Sequence, residues 1–448
     1  MARMSATASI QAKHAKHVLT PWLAQGGLAA PVIVRGEGRY LYDIDGNKFL
    51  DLGSGLIAVN LGHGHPKVVK AIQEQAAELC YAAPGLFNDK RAELAAELSD
   101  ISPWKGEGCR TFFTTTGAES NDDAVRLARS ITGRHKVLTA MRSFHGSTGT
   151  SIVLTGEDRR WGGESGGPTG ISRFFAPYPY RSPFWSTSPE EETARAIEHL
   201  ERTLVHENPK QVAAIIIEPV VGSNGVIVYP DGYLPALRAL TEKHGILLVC
   251  DEVMTGFGRT GAAFGSQRFG IVPDMITFAK GVTSAYIPLG GVMIREKLAG
   301  TWDAKAIPSG HTYSGHPMCV AAGLATVRAY KEEKLFERAN EIEGWLKSGL
   351  AAISEKHRIV GDARGVGAFF ALELVKDKKS KEPLVAWQGE GGPGIMKNFY
   401  GELRKRGVIT FGKFNCVMVA PPLTTTKGEV DEGLAALDGA LTAFEATL

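Results

Sequence analysis

Cysteine is scarce. The 448 residues hold five (Cys80, Cys109, Cys250, Cys319 and Cys416), widely scattered and without a C-x-x-C pair. That excludes a disulfide framework and a zinc cage, and it points to a reducing compartment. Net charge is nearly absent too: 50 Lys and Arg against 48 Asp and Glu leave +2. No basic run interleaves with aromatics, so nucleic acid is not an expected partner. No apolar stretch approaches the roughly 20 residues needed to cross a bilayer, so no membrane is expected either. The longest runs, "VAAIIIEPVV" and "GILLVCDEV", have the length of core strands. Acidic residues are missing before Glu37, a trait of transit peptides, but a short basic tail explains this more cheaply and no secretory apolar region follows the start. The expected location is the cytoplasm.

What is present fits a soluble two-domain chain, 44% hydrophobic and long enough for well-buried cores. Near the N-terminus, "GRYLYDIDGNKFLDLG" sets two alternating apolar runs around Asp45-Gly46, the signal of a two-residue hairpin turn. From about residue 110 to 295 the pattern becomes strand, turn, helix. "RTFFTT", "VLTAM", "VAAIIIEPV", "GILLVCDEV", "MITFAK" and "GGVMI" are continuous apolar runs. Between them lie helical stretches such as "AESNDDAVRLARSI", where Ala124, Leu127, Ala128 and Ile131 share one face. Continuous strands separated by helices predict a mostly parallel sheet covered on both faces. After about residue 325 the chain reads as a smaller α+β domain, closing with a helix that Thr426 and Glu429 start as a capping box.

Three familiar short motifs fail on context. "GESGG" (Gly163 to Gly167) matches G-x-S-x-G but has neither the preceding strand nor the following helix of a nucleophile elbow. "GFGRTG" (Gly256 to Gly261) follows a strand, yet five residues intervene and no helix opens beneath it, as a dinucleotide fingerprint requires. "GVITFGKF" ends on Phe414, where a P-loop needs Ser or Thr. His63 and His65 in "GHGHP" fit a turn better than a metal site, and no metal is expected.

The anomaly is Lys280, at the end of the buried run "MITFA". An isolated ammonium at such a place costs many kcal/mol unless it neutralises or finds a partner. Asp251 ends another apolar strand in "VCDEV", an anomaly of opposite sign. Open α/β sheets bind ligands at the carboxyl edge of their strands, so a shared ligand follows. "FTTTGAES" puts Thr115, Thr116, Gly117 and Ala118 between a strand and a helix start, a seat for phosphate. "SFHGS" offers the aromatic face of Phe144 beside His145. Pyridoxal 5′-phosphate needs this set: a lysine for the Schiff base, a carboxylate for the ring nitrogen, an aromatic face and a phosphate cup. Burial would lower the lysine below its ordinary ~10.4 and leave a nucleophilic neutral amine.

Over nearly its whole length the chain resembles the class III aminotransferases, pyridoxal-phosphate enzymes of fold type I. The resemblance rests on "TTTGAESND", "SFHGS", "IIIEPV", "DEVMTGFGRTG", "FAKGVTSAYIPLGG", "HTYSGHP" and "APPLTTTKGEVDEGL" taken together. It implies an α/β fold with a mostly parallel seven-stranded sheet sandwiched by helices. Residues 61–324 would form the large cofactor-binding domain and 325–448 the small α+β domain, joined by the segment 1–60. It implies Lys280 as the Schiff-base lysine and proton-transfer base, and Asp251 as the partner of the ring nitrogen. Val253 and Phe144 would sandwich the ring, with His145 beside it. Thr116, Gly117 and Ala118 would hold the phosphate, with Thr312 reaching in from a partner subunit, and Glu218 would support the Asp251 side. A homodimer with shared sites, or a tetramer built from it, is therefore implied.

There are departures. Relatives often carry Ser where Ala118 stands, so one hydroxyl contact to phosphate is lost, with Ser120 the residue near enough in sequence to compensate or not. Met254 stands where other branches carry glutamine, and Phe411 stands where an arginine often precedes "PPL", with Lys413 nearby. The resemblance is to the ω-amino acid and amine:pyruvate branch. It implies amino transfer from an ω-amino acid or amine such as β-alanine or taurine to a 2-oxo acid, pyruvate in the first instance. A racemase, epimerase or decarboxylase on the same fold is the alternative. Trp22, Ile57, Phe87 and Phe411, with Tyr81, are the candidate substrate-pocket residues.

Overall fold

A computed structural model describes residues 6–26, 30–387 and 394–448. Its centre is a seven-stranded sheet built in chain order from β1 (Cys109–Thr114), β2 (Lys136–Ala140), β3 (Ile171–Phe174), β4 (Val212–Ile217), β5 (Leu247–Asp251), β6 (Met275–Phe278) and β7 (Gly290–Arg295). The spatial order is β1-β7-β6-β5-β4-β2-β3. β7 runs antiparallel to both its neighbours, while the other pairings are parallel. Every residue of β4, β5 and β6 is buried. Continuous apolar runs are what strands covered on both faces require.

The helix Gly117–Thr132 follows β1 and packs on the sheet through Ala124, Val125, Leu127 and Ala128. Thr116 caps it by accepting the N–H of Glu119 at 3.2 Å, and Gly133 ends it in the left-handed conformation. The C-terminal part is an antiparallel sheet of Val360–Val366, Phe369–Asp377, Cys416–Val419 and Gly412–Lys413 with flanking helices. The last helix, Lys427–Glu445, starts on the Thr426/Glu429 capping box. The N-terminal strands Tyr40–Asp43 and Lys48–Asp51 form the expected hairpin, and Val408–Ile409 adds to it in parallel, joining the two ends of the chain. The turn is wider than two residues. The Asp43 carboxylate reaches across it to accept the N–H groups of Asp45 (3.0 Å) and Asn47 (2.8 Å), which opens the loop.

The "GFGRTG" segment docks protein on protein. Arg259 is fully buried and donates to the carbonyls of Ala368 (2.9 Å) and Pro421 (2.6 Å) and to Asn60 Oδ1 (2.6 Å), tying three parts of the chain together. Gly258 faces Leu423 and Gly261 faces Asn340, so the segment is no dinucleotide loop. His63 pairs with Asp51 and His65 with Glu333; among the described residues no cluster could hold a metal. Nor is any described helix long and apolar enough to cross a membrane.

Candidate active site

Lys280 follows β6 by two residues and opens a short 3-10 turn, Lys280–Val282. Its φ of +45° lies in the left-handed region, a strained choice for a side-chain-bearing residue that persists only where neighbours enforce it. They do: Tyr330 donates its hydroxyl to the Gly281 carbonyl at 2.7 Å, and a Cβ on Gly281 would lie 2.8 Å from the Asn60 amide. Burial pulls the Lys280 amine down to about 8, partly offset by Asp251 and Glu218 and reinforced by Arg159. These three charges therefore act on one amine.

The shift has a sign that can be tested. The unfolded chain keeps its lysine proton up to the ordinary value, so between about pH 8 and that value it binds more protons than the folded protein. Stability gains from this group as pH climbs through that window. In the cofactor-free protein, the rate at which the amine captures an aldehyde should rise with a midpoint near pH 8. A midpoint at the ordinary lysine value would show that burial does not govern this amine.

Asp251 ends β5 and lies in register with Thr277 of β6. Three donors converge on its buried carboxylate: Asn121 Nδ2 at 2.8 Å, His145 Nδ1 at 2.7 Å and the Val253 N–H at 3.0 Å. Asn121 is fixed in turn by the Thr277 hydroxyl (2.8 Å) and by donating to the His145 carbonyl (2.7 Å). With Nδ1 donating to the carboxylate, His145 Nε2 is left buried and without a partner. Glu218 sits just past β4, its oxygens accepting the N–H groups of Phe144 (3.0 Å) and Gly222 (2.8 Å). Burial raises it to about 7, with His145 pulling it down and Asp251 pushing it up.

Gly117 opens its helix, and its first N–H groups have no intrahelical acceptor. A Cβ there would lie 2.9 Å from Val253 Cγ2, so bare backbone is needed. Gly146, at φ +136°, lets the His145 loop close on Ala118, since a Cβ would come within 2.5 Å of the Ala118 Cβ. Ser120 does not replace the hydroxyl missing at Ala118. It is fully buried, engaged by Thr114 Oγ1 and the Thr116 and Phe278 carbonyls at 2.8–3.2 Å. The site thus offers a partly buried amine, a braced carboxylate, an orphaned ring nitrogen and a bare helix start, a donor set that fits pyridoxal phosphate.

The pocket candidates divide. Trp22 packs edge-on against Phe144, ring centres 6.4 Å apart. Ile57, Met254 and Phe411 join one apolar cluster with Val220 and Met418. Phe87 is fully exposed. Thr312 is exposed too; its carbonyl accepts the Tyr81 hydroxyl at 3.0 Å, and it lines a surface recess with Arg91, Phe113 and His311. Neither Phe87 nor Thr312 is shown against Lys280 of the same chain.

Two residues escaped the sequence reading. Asn121 lies inside the quoted "TTTGAESND", one turn beyond the phosphate seat, and that position was the available signal. Arg159 gave none, being one charge in the run "GEDRRW". Its guanidinium lies 3.6 Å from the centre of the Phe144 ring and 5.3 Å from that of Trp22. Its Nε pairs with buried Glu157, while Nη2 is buried with no partner.

The chain is similar to known proteins over nearly its whole length. The family model for class-III aminotransferases matches residues 24–441. A putrescine–pyruvate aminotransferase of Pseudomonas aeruginosa is 36% identical over 416 residues, covering 90% of this chain and 88% of that protein. The crystal structure of taurine:2-oxoglutarate aminotransferase from Bifidobacterium kashiwanohense, in complex with PLP and glutamate, superposes with a TM-score of 0.95 at 38% identity, covering all of both chains. An (S)-enantioselective ω-transaminase from Thermomicrobium roseum gives 0.92 at 36%, covering 99% of this chain and all of that one. Matched over almost all of its length, the chain belongs to the class III aminotransferases, enzymes that work with pyridoxal phosphate.

Proposed function

We propose that the protein transfers the amino group of an ω-amine carrying a terminal acid group, such as β-alanine or taurine, to a 2-oxo acid, with pyruvate as the first acceptor to examine. The observation that carries this reading is the orphaned Nη2 of Arg159, over the Phe144 ring and close enough to act on the Lys280 charge. A buried guanidinium face without a partner suits an anion, and Phe411 leaves no arginine before "PPL" to take that part. Both substrates of the cycle carry an acid group.

In this reading Gly117, Ala118 and Thr116 hold the cofactor's phosphate, and Phe144 and Val253 flank its ring beside His145. Bound pyridoxal phosphate supplies an electron sink for the carbon that loses its proton. Lys280 Nζ would take that proton and hold it for delivery across the substrate's nitrogen, two atoms away, a task suited to an amine brought to about 8. Asp251 holds a proton on the ring nitrogen, and Glu218 supports that side. Trp22 closes the pocket over Phe144 and Arg159. The minimal unit is a homodimer: Thr312 and Phe87, exposed on their own protomer, would serve the partner's site. Five free cysteines support a reducing compartment, the cytoplasm.

The test is donor preference with pyruvate, followed as alanine formed. Arg159→Met should lower kcat/KM for β-alanine and taurine, relative to 1-phenylethylamine, by roughly 30-fold or more, the effect of removing one partner of a desolvated charge pair. An unchanged preference would place the acid group elsewhere.

A further inference from the structure

We propose that Lys413 is a positioning residue of the anion pocket: it neutralises Glu157 and so leaves the Arg159 guanidinium for the substrate's acid group. This rests on the reading that Arg159 receives that group, and extends it to a residue 254 positions further along the chain.

Glu157 has no exposed surface, and a buried carboxylate must be compensated. One of its oxygens pairs with Arg159 Nε and the other with Lys413 Nζ, while Asn224 Nδ2 stands 3.4 Å away. Lys413 comes from the short strand Gly412–Lys413, and its ammonium also meets Asp158 Oδ1 at 2.5 Å. The local balance is therefore two cations against Glu157 and the half-buried Asp158. Without Lys413, one guanidinium faces two carboxylates, and its free Nη2 edge becomes the obvious donor to satisfy them. With Lys413 in place that edge stays unpartnered beside Phe144. Burial pulls the Lys413 ammonium down to about 7, while the Glu157 and Asp158 carboxylates lie in direct contact with it. Lys413 thus acts two residues from Phe411, but it works through Glu157 rather than by touching the ligand.

The experiment uses the cofactor-loaded enzyme and two acids that lack an amine, ethanesulfonate and propionate, with binding read by calorimetry. Lys413→Met should weaken both by about tenfold or more, as loss of a buried charge partner does. Lys413→Arg should bind within about threefold of the parent, because the charge is kept. The double variant Glu157→Gln/Lys413→Met should recover most of the loss, since the rival carboxylate has gone with its neutraliser. Glu157→Gln alone should bind at least as tightly as the parent. That variant keeps the test open if Lys413→Met does not fold. Unchanged binding in Lys413→Met, weakened binding in Glu157→Gln, or no recovery in the double variant overturns the proposal. Arg159→Met separates the two levels: if it leaves acid binding intact, the reading of Arg159 itself fails, whatever Lys413 does.

Discussion

Lys280→Ala yields a folded protein that no longer transaminates, with turnover reduced by at least about 10³-fold and the loaded enzyme's visible absorbance band lost. The size follows from the two roles proposed for this amine, the nucleophile that anchors the cofactor and the base that carries the proton, and proton transfer alone contributes roughly 10²–10⁴-fold. The fold should survive. Burial penalises the Lys280 ammonium, so its removal relieves a cost, and the turn it opens is held by the Tyr330 hydroxyl and the packing around Gly281, which the substitution leaves in place. Far-ultraviolet circular dichroism and a melting curve close to the parent's check that half of the prediction. Half-reactions with β-alanine check the other. Transamination retained at even a few per cent would mean that another group moves the proton, and Lys280 would return to being a lysine at a strand's exit.

The parts of this protein legible in the sequence are those in which one residue's chemistry contradicts its surroundings. Lys280 and Asp251 stood out because each ends a run that becomes a fully buried strand, and both lie at the carboxyl edge of one sheet. The turn proposed to seat the phosphate was legible as a turn because strand, threonines, glycine and helix follow one another without a gap. Asn121 was harder, since an asparagine in the first turns of a polar helix has many uses, and only folding reveals that it braces Asp251. Arg159, Glu157 and Lys413 were illegible in a stronger sense. Their meaning lies in a contact between the loop after β2 and a short strand far along the chain, and no periodicity or spacing encodes such a pair. The hairpin shows the milder form. Asp45-Gly46 correctly marked the reversal, while the side chain of Asp43 decided how wide the loop would be.

Asp251→Asn should lower the rate of the first half-reaction by roughly 10²–10³-fold, the scale on which a preorganised polar contact at the reacting group is lost, with little change in overall fold. The substitution preserves shape and removes charge, but it also breaks a donor count. Asn121 Nδ2, His145 Nδ1 and the Val253 N–H all point at this side chain, and an amide oxygen replaces only part of what two carboxylate oxygens accept. The amide's own N–H₂ would then face a donor, so His145 is released from the tautomer that Asp251 imposes. A second readout follows from Glu218. Asp251 is among the causes that hold its pKa up near 7, so loss of that negative charge moves the Glu218 ionisation to lower pH. The acid limb of the rate profile should therefore shift downward while the rate itself falls. A rate near the parent's would overturn the role given to Asp251. A rate loss whose acid limb stays put would show that Glu218 does not sense this carboxylate during the reaction.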